Sequence, residues 1–402
     1  MRTVLARFFI FVLFAAVLPR DALAVSSEWP SIVARARGQD VHWHAYGGDE
    51  KVNRYIQWVA DEVKRRYGLT LHHVKVGNIA ETVTQLVAEK AAGRTEGGRV
   101  DLMWLNGQNF AAMKENNLLF GPITHVLPRF ALVDTVHKPT TLLDFTVPTL
   151  GLESPWGMAQ LVFFADSDAV RRPPRTIAAL REWTIANPGR FTYPAPPDFT
   201  GQTFLKQVFL ETLDNRDVAY RPVREDDFQR VTAPLWRFIE GLHPHLWRKG
   251  ASFPPSYAAM RQLMTDGEID IAFAFNPAEA SNAVAQKLLP SSVRSFVLEA
   301  GTIGNTHFVA IPQTASSKDG AMVVADFLLS PEAQSRKANP EHWGDPTVLS
   351  LDKLSDAERQ LFEDLPRGRA MPSAADLQLS LSEPHPTWTT RIAQEWRKRY
   401  VK

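Results

Sequence analysis

The stretch VDLMWLNG, Val100–Gly107, is apolar on both faces and ends at a glycine. Such a run is typical of a strand that is buried in a parallel sheet. Upstream of it, DVHWHAY (40–46) and LTLHHVKV (69–76) predict two further strands, and a segment with helical spacing of apolar residues follows each. The alternation of strands and helices therefore predicts an α/β fold with a parallel sheet and right-handed crossovers.

A second α/β unit follows downstream. RFTYP (190–194) predicts its first strand, and the buried run Ile269–Phe275 predicts another after a helix. Extended segments near 147–160 and 296–306 separate this unit from the rest of the chain. We therefore expect two lobes joined by crossing strands: residues 25–152 and 302–402 form a discontinuous N-terminal lobe, and 153–301 form the C-terminal lobe. The charged helices near the C-terminus are expected to pack on the first lobe.

Residues 1–24 have the pattern of a secretory signal peptide. Arg2 and Arg7 precede an apolar run, Phe8–Leu18, and the segment ends in Ala-Leu-Ala at 22–24. Three arginines and one aspartate lie in this segment, so the mature chain has a formal net charge of −1, against +1 for the whole chain. A nearly neutral chain with no basic block is not expected to bind nucleic acid.

The loops that follow the predicted strands are the candidate binding site, because ligands of open α/β sheets bind at the carboxyl ends of the strands. The candidate ligand-binding residues are Tyr46, Gly47, Gly48, Asp49, Asn106, Gly107, Trp156, Phe199, Thr200, Gly201 and Asn276.

TYPAPPDFTGQTFL, Thr192–Leu205, includes the predicted start of a helix and allows two interpretations. Asp198 is a good N-cap, so the stretch is explained in part as a capped helix entrance. Thr200 and Gly201 would also allow an anionic or carbonyl group of a ligand to approach the free N–H groups of the helix. We expect ligand contact there.

Two other candidates have structural alternatives. Tyr46 to Asp49 either form a backbone cradle below a stacking tyrosine or a Gly-Gly turn in which Asp49 caps the next helix. Trp156 lies between Pro155 and Gly157, which suggests exposed backbone at a cleft floor, although tryptophan is commonly a core residue. We expect Trp156 to form a wall of the ligand site.

The sequence does not predict a metal, a cofactor or a catalytic site. His42 and His44, and His243 and His245, have His-x-His spacing, but no third ligand follows at a recognisable spacing. The chain has no cysteine, which excludes thiol chemistry. It also has no G-x-S-x-G, H-E-x-x-H or Walker motif.

The chain resembles the periplasmic substrate-binding proteins of ABC transporters. The resemblance rests on VDLMWLNGQNFAAMKENNLL, RRPPRTIAALREW, MTDGEIDIAFAFNP and ADFLLSPEAQ. AYGGDEKVNRYIQWV, ESPWGMAQLVFFAD, YPAPPDFTGQTFL and GNTHFVAIP are similar, more narrowly, to the YnjB-like branch.

This resemblance implies the two-lobed, hinged type II periplasmic binding protein fold, a small polar ligand, and a membrane permease with its ATPase as partners. We expect a monomeric, non-enzymatic protein of the periplasm. The iron-binding relatives have a Tyr-Tyr pair, which this chain lacks, so ferric iron is not expected as the ligand. The alternatives are an exported hydrolase that acts on a small polar substrate in the same cleft and a metal chaperone that uses the His-x-His pairs.

Overall fold

The computed structural model describes residues 21–366, 368–377 and 380–401. The apolar run of the predicted signal peptide lies outside these residues, and the predicted cleavage point after Ala24 falls within the first helix. The helices are α1 (Asp21–Ala36), α2 (Glu50–Tyr67), α3 (Ile79–Ala91), α4 (Gln108–Glu115), α5 (Ile177–Ala186), α6 (Phe199–Thr212), α7 (Glu225–Leu242), α8 (Tyr257–Thr265), α9 (Glu279–Ala285), α10 (Lys318–Leu328), α11 (Pro331–Ala338), α12 (Asp356–Glu363), α13 (Ala374–Leu377) and α14 (Pro386–Tyr400).

The strands form two principal sheets and one short hairpin. They are β1 (Asp40–Tyr46), β2 (Thr70–Val76), β3 (Leu102–Leu105), β4 (Leu143–Asp144), β5 (Val147–Pro148), β6 (Glu153–Gln160), β7 (Val162–Asp166), β8 (Ile271–Ala274), β9 (Val293–Phe296), β10 (Thr302–Ala310) and β11 (Ser380–Leu381). The first sheet has the order β11-β10-β3-β1-β2, and β6 pairs with the other edge of β10. The second sheet has the order β8-β7-β9, and β4 pairs with β5 in the hairpin.

The first lobe agrees with the predicted parallel alternation. β1 is parallel to both β2 and β3, with Asp40 opposite Thr70 and Trp43 opposite Leu102. Helix α2 buries the predicted apolar face, Val52, Tyr55, Ile56, Val59 and Val63, and ends at Gly68, which has a φ of +70°. This face packs into one core with β1 and with Val323 and Phe327 of α10.

In the described part of the chain, the sheet of the second lobe is antiparallel and not the parallel sheet that the sequence predicted. Strand β7 pairs antiparallel with both β8 and β9, because it continues directly from β6 as the chain crosses between the lobes. The predicted strand at 190–194 is reduced to an isolated bridge between Phe191 and Ile271. The prolines that follow, at 194, 196 and 197, have no N–H group to continue a ladder.

The predicted lobe boundaries also differ from the structure in two places. Strand β6 belongs to the first sheet, so the first lobe extends to Gln160 rather than to residue 152. Helix α14 packs in the core of the second lobe through Trp388, Ile392 and Trp396. Of the two charged helices expected on the first lobe, α12 does pack there through Phe362, whereas α14 does not follow the expectation, because its buried aromatic face packs against residues such as Phe209.

Strands β6 and β10 lie side by side and connect the lobes. They pair antiparallel from Gly304 opposite Gln160 to Ala310 opposite Glu153. Each continues into the second lobe through a short connection, to β7 in one case and from β9 in the other. The chain crosses once more after α12, since the amide of Ala370 already bonds to Ser281 of the second lobe, and a rotation at these connections would open or close the molecule.

Candidate functional site

The end of β1 places Tyr46 opposite the second lobe. Its ring is 43% exposed and covers Gly48, where an added Cβ would lie 2.3 Å from the tyrosine hydroxyl. Burial raises the pKa of Tyr46, and the carboxylates of Asp49, Asp198 and Glu279 raise it further. Two of these carboxylates belong to the second lobe, so the phenol faces the space between the lobes.

Asp49 caps helix α2, which is the structural alternative for the Gly-Gly turn. Its Oδ1 accepts hydrogen bonds from the amides of Lys51 at 2.7 Å and Val52 at 3.0 Å. The amide of Gly47 donates to the carbonyl of Val76 at 3.1 Å. The amide of Gly47 is thus engaged within the first lobe and Asp49 caps the helix, while contact of the rest of this loop with a ligand stays a prediction.

The end of β3 is covered by the β4–β5 hairpin. The amide of Gly107 donates to Oδ2 of Asp144 at 2.7 Å, and the ring of Phe145 leaves no room for a Cβ at Gly107. Gly107 has a φ of +58°, which also favours glycine. The neighbouring Asn106 is half-buried. A carboxylate of the same lobe thus occupies the N-terminus of α4, where a ligand was expected.

The entrance of α6 is a capped helix start. Oδ1 of Asp198 accepts from the amide of Gly201 at 3.0 Å, and its Oδ2 accepts from the amide of Tyr257 at 3.1 Å. A Cβ on Gly201 would lie 2.0 Å from the carbonyl oxygen of Pro194. Gly201 therefore faces its own lobe, which contradicts its expected contact with a ligand, and Thr200 is buried as well.

Phe199 and Asn276 lie together on the second lobe. Phe199 is 36% exposed and meets Phe275 edge to face, with ring centroids 5.2 Å apart. The side chain of Asn276 accepts from the amide of Ala278 at 2.9 Å and shapes the loop after β8. Phe199 is thus the part of the α6 entrance that remains exposed.

Trp156 is a core residue and not an exposed wall. It has no solvent exposure. Its ring lies 5.3 Å from Trp43 and 4.9 Å from Trp104, both edge to face, and 5.5 Å from Trp343. The expectation of exposed backbone at this position is wrong, because β6 is covered on both faces although Pro155 and Gly157 flank the tryptophan.

Lys206 is a buried cation between the lobes that the sequence analysis missed. It is 1% exposed, and its Nζ donates to Oε2 of Glu383 at 2.6 Å. The same ammonium lies 4.6 Å from the ring centroid of Phe145, on the first lobe, and 5.3 Å from that of Phe199. The signal for this residue was a lysine inside the apolar run TFLKQVFL, on a helix that is buried almost all round.

Burial disfavours the charged forms of Lys206, Glu383 and Asp144. It raises the pKa of Glu383 and lowers that of Lys206, while their mutual attraction favours the ionised pair. It also raises the pKa of Asp144 to about 8, although the hydrogen bond from Gly107 favours the carboxylate. The second carboxylate oxygen of Glu383 accepts from Nδ2 of Asn305, on β10, at 3.2 Å.

A further contact joins the lobes on the side of α9. Nζ of Lys51, on α2, donates to Oδ1 of Asn282 at 2.7 Å and to the carbonyl of Pro340 at 2.5 Å. Nδ2 of Asn282 donates in turn to the carbonyl of Trp343 at 2.9 Å. Since Asn282 belongs to the second lobe and the other three residues to the first, this group holds the lobes together.

The histidine pairs have other partners. His42 lies 3.2 Å from Asp101 and stacks on His72, and His44 lies 3.2 Å from the hydroxyl of Thr82. Nε2 of His243 lies 2.7 Å from the hydroxyl of Tyr193. In the described ranges of the chain, no three His, Asp or Glu side chains are grouped as a metal site requires. Over the same ranges, no helix is long and apolar enough to cross a bilayer.

Two lobes, an antiparallel pair of crossing strands and strand-end loops that face each other define a type II periplasmic binding protein. A family model for bacterial extracellular solute-binding proteins matches residues 58–350, and the chain belongs to this family. It is similar to the protein YnjB of Escherichia coli strain K12, with 45% identity over 375 residues, 93% of this chain and 94% of the relative.

Solved structures agree on the fold. AfuA from Actinobacillus pleuropneumoniae, a periplasmic binding protein with fructose-6-phosphate bound, is similar with a TM-score of 0.63 and 13% identity, over 90% of this chain and 98% of that one. A putative spermidine/putrescine ABC transporter protein from Listeria monocytogenes matches with a TM-score of 0.62 and 15% identity over the same shares. The family and the fold are those of non-enzymatic solute-binding proteins.

Proposed function

We propose that this protein is the periplasmic solute-binding component of an ABC importer. It captures a small polar ligand between its lobes and delivers it to a membrane permease with its ATPase. The observation that carries the proposal is the pair of adjacent crossing strands, β6 and β10, with contacts from both lobes meeting beside them. Family membership supports the same function.

A ligand that touches both lobes binds the closed form more tightly than the open form. That difference in affinity shifts the population toward closure, by an amount equal to the ratio of the two affinities. Tyr46 on the first lobe and Phe199 on the second are exposed aromatic residues that such a ligand would contact. Asn106 and Asn276, in two of the strand-end loops, are also proposed to contact it.

The chain is proposed to act as an exported monomer. Its mature form starts at Val25, after the signal peptide, and remains in the periplasm without a membrane anchor. N-terminal sequencing of the exported protein tests whether the mature chain starts at Val25. Sedimentation of the same material tests whether it is a monomer. Recovery of a chain that still starts at Met1 would contradict the cleavage.

The test of function is to identify a carried solute and measure closure. Native mass spectrometry of the protein purified from its host identifies any bound small molecule by mass. Small-angle scattering is then compared for the stripped protein with and without that molecule, and we expect a smaller radius of gyration with it. A hydrolase would release a molecule of altered mass after incubation, whereas a binding protein returns it unchanged.

A further inference from the structure

Buried hydrogen-bond acceptors without partners lie around the Lys206–Glu383 pair. Oδ1 of Asp144 and Oδ1 of Asn305 are both buried and have no hydrogen-bond donor within the described part of the chain. Asn305 is bonded to Glu383 through its other amide atom, and Asp144 is close enough to interact with the charges of both Lys206 and Glu383. An unsatisfied buried acceptor costs roughly 1–3 kcal/mol, so the group lacks donors.

The group also contains more acids than cations. Lys206 already forms an ion pair with Glu383 at 2.6 Å, and Asp144, whose pKa is raised to about 8, becomes a second carboxylate only above that pH or beside a further cation. A third buried carboxyl, Glu153 on β6, is near enough for the charge of Asp144 to raise its pKa further, although burial is the larger cause. An additional positive charge would therefore be stabilised here, whereas an anion would meet carboxylates.

The aromatic surroundings suit a cation as well. The rings of Phe145 and Phe199 already lie against the ammonium of Lys206, one from each lobe. Ring faces attract cations through their quadrupole. Phe145 is held there by a hairpin turn in which Phe145 and Thr146 have φ values of 43° and 68°, a conformation that is costly for non-glycine residues and common at functional sites.

The donors that an anionic ligand would need are occupied. The amide of Gly107, at the start of α4, is bonded to Asp144, and the amide of Gly201, in the first turn of α6, is bonded to Asp198. The two helix entrances that could bind an anion are thus each neutralised by a carboxylate of the protein. This reverses the expectation, drawn from the α6 entrance, of an anionic or accepting group.

From this arrangement we infer that the interlobe site recognises a protonated amine, whose N–H groups donate to Asp144 and Asn305 while Phe145 and Phe199 flank its charge. The inference rests on the proposed function, since the amine is part of the solute that the lobes enclose. Opening of the lobes separates Phe145 from Lys206 and gives the amine access to the group.

Binding of the amine is coupled to the loss of a proton from Asp144. Asp144 faces the amide of Gly107, Lys206 on α6, Glu383 before α14 and Glu153 on β6, and in the free protein its pKa is raised to about 8. A bound ammonium lowers that pKa, so below pH 8 binding releases a proton. Affinity for the amine should rise by about tenfold per pH unit toward pH 8 and then level off.

The first experiment uses three matched probes: n-butylammonium, n-butanol and butyrate. We expect n-butylammonium alone to raise the melting temperature of the stripped protein, and to do so more at pH 8 than at pH 6. Asp144→Asn keeps an oxygen for the amide of Gly107 but removes the charge, so it should weaken the ammonium effect by roughly tenfold or more and remove its pH dependence. Phe145→Leu should weaken it several-fold.

Asp134→Asn is the matched control, because Asp134 is a buried carboxylate of the same lobe that bonds to the amide of His137. It should leave the ammonium effect unchanged. A response to butyrate or butanol as large as that to n-butylammonium, no response to n-butylammonium, or an unchanged response in Asp144→Asn would overturn the inference.

The carried solute separates this inference from the proposed function. If mass spectrometry finds a solute without a basic nitrogen, and that solute closes the lobes, the amine assignment is wrong while the transport function stands. If no solute from the host closes the lobes, the proposed function fails. A solute with a basic nitrogen that loses affinity in Asp144→Asn supports both.

Discussion

Gly201 fits two hypotheses, contact with a ligand and contact with the backbone of the protein itself. One distance in the structure decides between them. A glycine in the first turn of a helix suggests that something must approach the backbone closely. That is correct here, but the approaching group is the carbonyl of Pro194 and not a ligand. Because Pro194 lies seven residues upstream, across a turn of three prolines, no local pattern in the sequence shows on which side of Gly201 the contact is made.

Replacing Gly201 with alanine should therefore destabilise the fold. The added Cβ would lie 2.0 Å from a backbone oxygen that cannot rotate away, so we expect a loss of about 1–3 kcal/mol, the usual cost of overpacking. Urea unfolding measures it. Gly77→Ala is the control, since a Cβ there meets nothing within 4 Å; equal stability of the two variants would contradict the assigned packing.

His243 should make stability depend on pH. It is buried against Tyr193 and Tyr400, and burial lowers its pKa to about 4. The unfolded chain has a pKa of about 6.5 at this position, so between pH 6.5 and 4 only the unfolded state takes up the proton. The free energy of unfolding should fall through that window as the pH decreases, by up to about 1.4 kcal/mol per pH unit.

The measurement is the urea midpoint at several pH values for the parent and for His243→Gln. Carboxylates affect the pH dependence of both proteins equally. The difference between the slopes of urea midpoint against pH for the parent and for His243→Gln therefore gives the contribution of the His243 imidazole. His245→Gln, two residues away at a half-buried position, is measured in parallel as the control for a histidine-to-glutamine change in the same segment. Identical slopes for the parent and His243→Gln would show that His243 is not held neutral by the fold.

At the scale of elements, the apolar spacing predicted α2 correctly, and Asp49 and Gly68 mark its two ends as the cap rules require. The strand at 190–194 was predicted from β-forming residues and did not form, because the prolines after it cannot donate to a ladder. Local chemistry thus determines where a helix starts. Whether a short strand forms depends on a partner that lies elsewhere in the chain.

Asp198 joins two helices, and its replacement should cost more than the loss of one cap. Its two carboxylate oxygens bond to the first turn of α6 and to the first residue of α8. We expect Asp198→Ala to lower the free energy of unfolding by about 2 kcal/mol, while Asp198→Asn retains part of it. Thr176→Ala removes the cap of α5 alone and should cost about 1 kcal/mol; a cost as large as that of Asp198→Ala would contradict the double role.

At the scale of the whole molecule, the two-lobed fold was predictable because alternation and strand-end loops are repeated along the chain. The contents of the cleft were not. Lys206 and Glu383 are 177 residues apart, and the ring that covers Gly107 comes from a hairpin with no distinctive turn residues, Phe145 and Thr146. Such contacts join segments that are far apart in the chain, so a pattern read along one element does not contain them.

The contact of Lys51 with the second lobe leads to a prediction about the hinge itself. Lys51→Met keeps the aliphatic stem but removes the donors to Asn282 and Pro340. Hydrogen bonds to a charged group are worth about 1.5–3 kcal/mol, so the balance between closed and open forms should move toward the open form by roughly 10- to 100-fold. Small-angle scattering of the ligand-free protein should then give a larger radius of gyration.

The control is Lys64→Met on the same helix, because Lys64 bonds to Thr70 within the first lobe. It should leave the radius of gyration unchanged, and neither variant should lose the cooperative unfolding of the parent. Affinity for the carried solute should fall in Lys51→Met, since closure must then be driven by the solute alone. If the two variants scatter alike, Lys51 packs against Asn282 without biasing the hinge, and the closed form is held by other contacts, such as that of Lys206 with Phe145.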